Sequence, residues 1–241
     1  MPDENGFLGT SSQDMPVKKT RRKQRSQGRP FTSKAVGADA IVAATREALK
    51  VTPPGEVTFK QVSRLAGIDN RLIRYYFGYM PDLLRAVAIQ VTQELRNRFV
   101  AASLHTGSVR DNVRLRVSIF LNFFGSNPHY HGLVVNYLIK TEGPARNAAL
   151  ERFRHSIAEL SKILDKAGNG EAYPLDAALI HTSMAALCEF LFSARPVFEA
   201  LFEADIDTTE FKERYCDFVT NLIMSTISSK KLPSVTVVSS V

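Results

Sequence analysis

The chain has 241 residues, a formal net charge of +7 and two cysteines. This length allows one or two domains, and two cysteines make neither a disulfide framework nor a zinc site. The whole basic excess lies in the first 85 residues, because residues 86–241 hold equal numbers of acidic and basic side chains. A basic domain beside a neutral body is typical of a nucleic-acid-binding protein, and a basic tract without an apolar face argues against a membrane-surface protein.

Residues 1–33 form the first segment, which is rich in Ser, Gln, Gly and charged residues and has few large apolar side chains. This composition predicts a disordered basic arm. The run at residues 18–25 is either a solvated tail or an arm that follows DNA phosphates. The tripeptide at residues 28–30, Gly-Arg-Pro, resembles minor-groove hooks and favours the second reading, which makes Arg29 a candidate DNA contact.

Two short helices joined by a tight turn are predicted over residues 58–77. Thr58 can cap the first helix, and Gln61 three residues later completes a capping box. Gly67 stands where that helix must stop, since glycine tolerates the left-handed geometry of a helix end. The predicted apolar face of this helix consists of Val62, Leu65 and Ala66.

The second short helix starts at Asp69 or Asn70, either of which can cap it. Its predicted inner face consists of Ile73, Tyr76 and Phe77. The side chains left to point outward are Asn70, Arg71, Leu72, Arg74 and Tyr75. The whole unit is predicted to be a helix-turn-helix, which places its second helix in the major groove of DNA.

Candidate DNA contacts follow from the chemistry of the outward side chains. Arg71 can bind guanine bidentately, Asn70 can bind adenine, and Leu72 can contact a thymine methyl group. The predicted phosphate contacts are Thr58, Lys60, Arg74, Tyr75 and Tyr76, which position the protein without specifying sequence. The alternative is that the unit is retained only for packing, and the concentration of positive charge around it argues against that alternative.

The remainder of the chain is predicted to be all helical. A long helix over residues 81–104 begins at Pro81, which suits the first position of a helix. Further helices are predicted near residues 109–125, 128–140, 144–167, 174–194 and 208–228. The fold class is therefore all-α, with a three-helix DNA-binding domain over residues 34–80, a helical body over 81–228, and a short flexible tail over 229–241.

The helix predicted over residues 174–194 has almost no polar face, so it must be buried all round. Either this helix is central in a monomer, or it and the helix at 208–228 together form a face that a second subunit covers. The candidate dimer-interface residues are Ala178, Ala185, Phe211, Tyr215, Phe218 and Leu222. A twofold dimer presents two helix-turn-helix domains, which we call reading heads, and implies a pseudo-palindromic DNA site.

The body also contains candidates for a small-molecule pocket, whose residues would equally suit an ordinary core. They are the aromatic and soft residues Phe120, Phe124, Tyr130, Tyr137, Phe153, His181 and Met184. The pair His129 and His131 suggests a metal, but no third ligand stands at a recognisable spacing. We therefore expect neither a metal nor a cofactor, and a histidine pair at a loop or helix start.

Residues 37–90 resemble the DNA-binding domain of TetR-type bacterial transcriptional regulators. Residues 41–49 match the first helix of that family, and 58–68 match its second helix and turn. Residues 73–77 stand where the family usually carries Leu-Tyr-x-His-Phe. The chain departs from the family pattern at Asp69, usually serine or threonine, and at Met80, usually lysine.

The resemblance implies a homodimer formed through the last two long helices, which binds double-stranded DNA. It implies a repressor that a small-molecule effector releases from a pseudo-palindromic operator, and a cytoplasmic location in a bacterium. The alternative is an architectural protein that binds DNA without sequence preference. An enzyme is the third hypothesis, but the sequence shows no nucleophile motif, acid–base pair or glycine-rich phosphate loop to support it.

Overall fold

The structure is a computed structural model that describes residues 32–166 and 174–228. These residues are almost entirely helical, which confirms the predicted all-α class. Most of the predicted N-terminal arm, including Arg29, and the predicted C-terminal tail lie outside the described residues.

The N-terminal head consists of three helices and a short connection. Helix α1 spans Thr32–Ala48, and a 3₁₀ turn at Pro54–Glu56 leads into α2 at Phe59–Ala66 and α3 at Asn70–Phe77. Helix α1 packs against α2, α3 and α4, with Ile41, Val62 and Ile73 completely buried at the centre. The head therefore shares its core with the first helix of the body.

Seven further helices make up the described part of the body. They are α4 at Met80–Ser103, α5 at Val109–Ser126, α6 at Tyr130–Val134, α7 at Pro144–Asp165, α8 at Pro174–Ser193, α9 at Arg195–Phe202 and α10 at Thr209–Ser228. Helix α5 lies at the centre, because it packs against α4, α7, α8 and α10. Helix α4 extends from the head into the body and contacts α1, α5, α6 and α7.

The structure adds detail to the predicted body at two places. The predicted helix near 128–140 begins as α6 and continues as a π-helical turn at Val135–Ile139, a wider winding that apolar periodicity does not reveal. Helix α9 was not predicted, because Pro196 suggested a break between helices. Pro196 instead occupies the first turn of α9, where a missing backbone N–H costs nothing.

Helix α8 is buried on one side only. Ala177, Met184, Cys188 and Leu191 are completely buried in the body. Exposed apolar side chains remain on the other side of α8 and continue over α9 and α10; they are Leu179, Phe190, Val197, Leu201, Phe202, Phe218 and Leu222. We call these seven residues the apolar patch. Both cysteines, Cys188 and Cys216, are buried in the body.

Within the described ranges, no single helix is long and apolar enough to cross a membrane. Helices α8 and α9 meet that criterion of length and composition only as a pair, and a bend of 77° separates their axes.

Candidate nucleic-acid interface and internal cavity

The turn between α2 and α3 is held by three local interactions. Thr58 caps α2, because its Oγ1 accepts a hydrogen bond from the Gln61 backbone N–H at 3.2 Å. Gly67 ends α2 in the left-handed conformation, with φ 64° and ψ 30°. Asp69 caps α3 by accepting from the Arg71 backbone N–H at 2.7 Å. These three predictions are confirmed, and they show that Asp69 has a local task in starting the helix.

The predicted capping box is only half correct. The Gln61 side chain does not return to Thr58; its Nε2 donates to Thr52 Oγ1 at 2.9 Å and so fastens the loop that precedes α2. Leu65 was also predicted to face inward, but it is 49% exposed. Phe59 and Ala66 lie on one side of the buried Val62 around α2, whereas Leu65 lies about 60° to the other side.

Helix α3 is divided into an inner and an outer face. Ile73 is completely buried, and Tyr76 is half-buried against α1. A Cβ atom at Gly37 would lie 2.8 Å from the Tyr76 hydroxyl, so a side chain at this position would displace the Tyr76 ring. The outer face exposes all five of the predicted outward residues, Asn70, Arg71, Leu72, Arg74 and Tyr75.

The exposed surface of the head carries basic side chains, which suit the negatively charged phosphates of DNA. Lys60, Arg71 and Arg74 are exposed, and the Arg74 guanidinium lies over the Phe59 ring at 4.6 Å from its centroid. This stacking orders the Arg74 side chain without neutralising it. Thr58 is exposed beside Lys60 at the start of α2. Tyr76 is the least accessible of the described residues predicted to contact phosphate.

Arg46 of α1 joins the head to the body. Its Nη2 lies 2.8 Å from Glu94 Oε2 on α4 and donates to Asn127 Oδ1, after α5, at 3.5 Å. A narrow crevice beside this ion pair is lined by Leu49 of α1, by residues of α4, and by Tyr130 of α6. We call this region the head–body joint.

A cavity of about 420 Å³ lies between α4, α5, α7 and α8. Its walls are mainly apolar and include Phe99, Phe120, Phe124, Phe153 and Ile157. This volume falls within the range of small-molecule sites, about 300–1,000 Å³. Such a cavity can enclose a compact apolar ligand.

Five of the seven predicted pocket residues line this cavity: Phe120, Phe124, Tyr130, Phe153 and His181. The other two do not. Met184 is completely buried in the core, and Tyr137 lies in the π-helical turn, where its carbonyl accepts from Arg85 Nε at 3.3 Å. Ala185, predicted at the dimer interface, instead lines the cavity, because it lies one helical turn from His181.

Burial changes the acid–base behaviour of the groups around the cavity. It lowers the pKa of His181 to about 4, with help from nearby Arg116, so this imidazole is neutral at neutral pH. Burial also raises the pKa of the Tyr130 phenol, an effect that the nearby Thr92 hydroxyl opposes. The pKa of the Glu189 carboxyl is raised by burial, against the opposing influence of His131.

Two arginines at the cavity were not identified from the sequence. Arg152 of α7 lines it, and Arg116 of α5 lies immediately behind it, 5.1 Å from the Phe99 ring centroid and only 2% exposed. A signal for Arg116 was present, because it stands at helical spacing between the buried residues Val113 and Phe120. A charged residue in such an apolar stripe is a functional candidate.

The two histidines of the predicted pair lie in different parts of the structure. His129 lines the head–body joint, whereas His131 lines the cavity, where its Nδ1 lies 3.8 Å from Glu189 Oε2. Over residues 32–166 and 174–228, no group of three or more His, Cys, Asp or Glu side chains is placed to hold a metal ion.

The remaining predicted interface residues lie at or beside the apolar patch. Phe218 and Leu222 belong to it and are 61% and 45% exposed. Phe211, Tyr215 and Ala178 are half-buried next to it, and the Tyr215 hydroxyl donates to the Leu187 carbonyl at 2.9 Å.

Comparison with known proteins agrees with this architecture. A family model described as "Tetracyclin repressor-like, C-terminal domain" matches residues 110–223. No curated protein matches the chain. A TetR-family transcriptional regulator from Streptomyces coelicolor is similar in structure, with a TM-score of 0.60 and 14% sequence identity over 82% of this chain and 84% of the other.

Two other similar structures contain ligands. The first is AibR in complex with isovaleryl coenzyme A and operator DNA, with a TM-score of 0.58 and 10% identity over 77% of this chain and 97% of the other. The second is the transcriptional regulator FadR from Bacillus subtilis with stearoyl-CoA, with a TM-score of 0.56 and 12% identity over 78% and 97%.

The described residues form a helix-turn-helix head and a separate helical domain that contains a ligand-sized cavity. Residues 110–223 match the C-terminal domain of the TetR-type family of transcriptional regulators, and the fold of the chain is similar to that of whole proteins of this family.

Proposed function

We propose that this protein is a dimeric transcriptional repressor, which a small molecule bound in the internal cavity releases from a pseudo-palindromic operator. The observation that carries the proposal is that Tyr130 belongs to two sites: its ring lines the cavity and also the crevice at the head–body joint. A ligand that moves this ring therefore acts on both places at once.

The reading head supports the DNA-binding half of the proposal. Arg71, Asn70 and Leu72 project from the exposed face of α3, where their functional groups suit base edges in the major groove. Lys60, Thr58, Arg74 and Tyr75 surround them and suit phosphate oxygens. Tyr76 and Arg29 remain further candidates for backbone contacts.

The apolar patch supports the dimer. Its seven large apolar side chains extend over α8, α9 and α10, and monomeric proteins rarely leave so many together in water. A second copy of the chain covers the patch by twofold symmetry, which brings the same surface to itself. The patch includes α9 as well as the two long helices, so all three helices contribute to the proposed interface.

The joint supports the coupling between the cavity and the DNA. Tyr130 packs edge-on against Phe123 at a centroid distance of 5.1 Å, and Phe124 is 5.6 Å away. Arg46 bridges α1 to Glu94 on α4, which is one wall of the cavity. A ligand that binds better to one arrangement of this cluster shifts the relative position of the two heads, and thereby the affinity for the operator.

The alternative is an architectural protein that binds any duplex through charge alone. Selection of bound duplexes from a random-sequence library at near-physiological salt distinguishes the two. Our proposal expects recovery of an inverted repeat, bound by two chains as measured by sedimentation. Recovery of unrelated sequences with equal affinity and a steep dependence on salt would support the architectural function.

A further inference from the structure

Unpaired polar groups gather around one cavity. The buried side-chain nitrogen and oxygen atoms that lack a hydrogen-bond partner, within the part of the chain that the structure describes, belong to only four residues: Arg116, Tyr130, Arg152 and His181. Tyr130, Arg152 and His181 line the cavity, and Arg116 lies behind its Phe99 wall. Because buried polar groups are normally satisfied, this concentration indicates a missing partner at this place.

The missing partner must be able to accept hydrogen bonds and to balance positive charge. Both terminal nitrogens of Arg116 are buried without a partner. The acid that faces Arg116 is Glu159, whose carboxylate instead binds Lys162 Nζ at 2.8 Å. An uncompensated guanidinium in the interior is costly, and burial accordingly lowers the pKa of Arg116 to about 10.

Arg152 presents a second cation directly to the cavity. Its Nε donates to Gln93 Oε1 at 2.9 Å, which fixes the guanidinium in place, while Nη1 is buried and has no partner. His181 is neutral, so its Nδ1 can donate or accept according to tautomer. A single anionic group of a ligand can satisfy donors of this kind, in the way that carboxylates pair with arginine.

The acidic side of the cavity is separate. Glu189 lies eight residues after His181 on α8, which corresponds to about 12 Å along the helix axis. Between the two positions the walls are mainly phenylalanine rings, with Phe99 and Phe120 against His181 and Phe124 against Tyr130. The cavity thus has Arg152 in its wall beside Gln93, Arg116 behind the wall formed by Phe99 and His181, and a long apolar section.

We propose that the cavity binds a compact organic acid, with its carboxylate paired with Arg152 in the cavity wall, its apolar body on the phenylalanine rings, and the charge of Arg116 adding to the attraction from behind Phe99. This inference rests on the proposed function, because it names the class of effector for the same cavity. A volume of about 420 Å³ suits a molecule of aromatic-acid or medium-chain-acid size.

The test uses matched pairs of probes and the full chain without DNA. Isothermal titration calorimetry compares 4-phenylbutyrate with 4-phenylbutyramide, and octanoate with octanamide. Each pair has the same shape and differs in charge. We expect each acid to bind about tenfold or more tightly than its amide, because hydrogen bonds between ions are stronger than neutral ones.

Variants then locate the carboxylate. Arg152→Gln is expected to reduce the acid-over-amide ratio severalfold, and Arg116→Met is expected to reduce it by less, because Arg116 lies behind Phe99. Arg110→Met removes an exposed arginine from the same helix as Arg116 and is expected to leave the ratio unchanged. Should Arg116→Met fail to fold, Arg152→Gln carries the test, since the Arg152 side chain is only half-buried.

Three results with the acids and amides would overturn the inference. They are equal binding of acids and amides, no binding of either acid at millimolar concentration, and an unchanged ratio in both Arg116→Met and Arg152→Gln. A further contrary outcome is binding of octanoyl-CoA but not octanoate, lost in Arg154→Gln, because Arg154 lies in an outer groove beside the cavity. That outcome would indicate a phosphate-bearing ligand held from outside.

A parallel measurement separates this inference from the proposed function. Specific binding of the unliganded protein to an inverted repeat, combined with no preference for acids, would refute only the effector class. A clear preference for acids, combined with no specific DNA binding, would refute the repressor and leave the ligand class intact.

Discussion

Individual side chains of α3 divide into those that we propose to contact bases and those that support the helix. Arg71 is exposed while its backbone N–H is held by Asp69, so the guanidinium is free to approach a guanine. We predict that Arg71→Ala costs about 1–3 kcal/mol on the cognate site and relaxes sequence preference there. Fluorescence anisotropy with the cognate duplex and single-base variants measures both quantities.

Lys60→Ala is the matched control for Arg71→Ala. Lys60 is expected to contact phosphate, so its loss should weaken binding to all duplexes alike and lower the salt slope by about one. An equal loss on all duplexes for Arg71→Ala would show that Arg71 also contacts only phosphate.

The neutral state of His181 has a consequence for stability. Its pKa is about 4 in the folded protein and about 6.5 in the unfolded chain. The unfolded state therefore binds more protons between these values, and the protein loses stability as the pH falls through that window. We predict that lowering the pH from 7 to 5 costs the wild type about 1–2 kcal/mol more free energy of unfolding than it costs His181→Gln.

Urea denaturation at the two pH values tests this prediction, with the exposed His105→Gln as control. Equal losses in wild type and His181→Gln would mean that His181 is not held neutral by the fold.

For individual residues, the sequence predicted local interactions such as helix caps more accurately than it predicted which residues meet in the packed structure. Thr58, Gly67 and Asp69 were identified correctly because caps depend on interactions within a few residues of the chain. Met184, Tyr137 and Ala185 were misplaced because their surroundings depend on how α8 and the π-helical turn are oriented against other helices. The charge of Arg116 gave a signal in the sequence, but its lack of a partner is a property of the packed structure alone.

At the scale of elements, the start of α3 depends on one carboxylate. Asp69 accepts the Arg71 N–H and thereby satisfies one of the free donors at the helix N-terminus. We predict that Asp69→Ala lowers the free energy of unfolding by about 1 kcal/mol, whereas Asp69→Asn leaves it nearly unchanged because asparagine caps equally well. Thermal or urea unfolding of the two variants measures the difference.

The same pair of variants tests whether Asp69 contacts DNA. Asp69→Asn removes a negative charge but keeps the cap, so tighter binding to every duplex is the only effect expected from weaker repulsion of phosphate. A change in sequence preference in Asp69→Asn would contradict the assignment of Asp69 to capping alone.

Helix boundaries were predicted correctly where the sequence has clear capping and helix-breaking residues. The ends of α4, α5, α7 and α10 lie within a residue or two of the predictions, because apolar periodicity and capping residues agree there. Helix α9 was missed because proline can either end a helix or begin one, and only the geometry at Arg195 and Pro196 decides between the two. The π-helical turn has no signal that simple periodicity detects.

At the scale of the whole molecule, the apolar patch is predicted to hold two copies together. Phe218 belongs to this patch and is 61% exposed on α10. We predict that Phe218→Glu converts the dimer to a monomer, since it places a charge where apolar surface must be buried. Sedimentation velocity gives the mass in each case.

Leu104→Glu provides the control, because Leu104 is 81% exposed and lies outside the patch. It is expected to leave the mass unchanged. A wild-type chain that sediments as a monomer, or a Phe218→Glu variant that remains a dimer, would contradict the proposed interface.

The central claim is that two reading heads bind one symmetric site and that a small molecule in the body controls this binding. The most direct test incubates the purified protein with sheared DNA from its source organism at near-physiological salt and sequences the retained fragments. The same incubation is repeated with the small-molecule fraction of a cell extract. Our account predicts a few strongly enriched fragments that share an inverted repeat, and their release by the extract. Uniform retention of all fragments, or none, would contradict it.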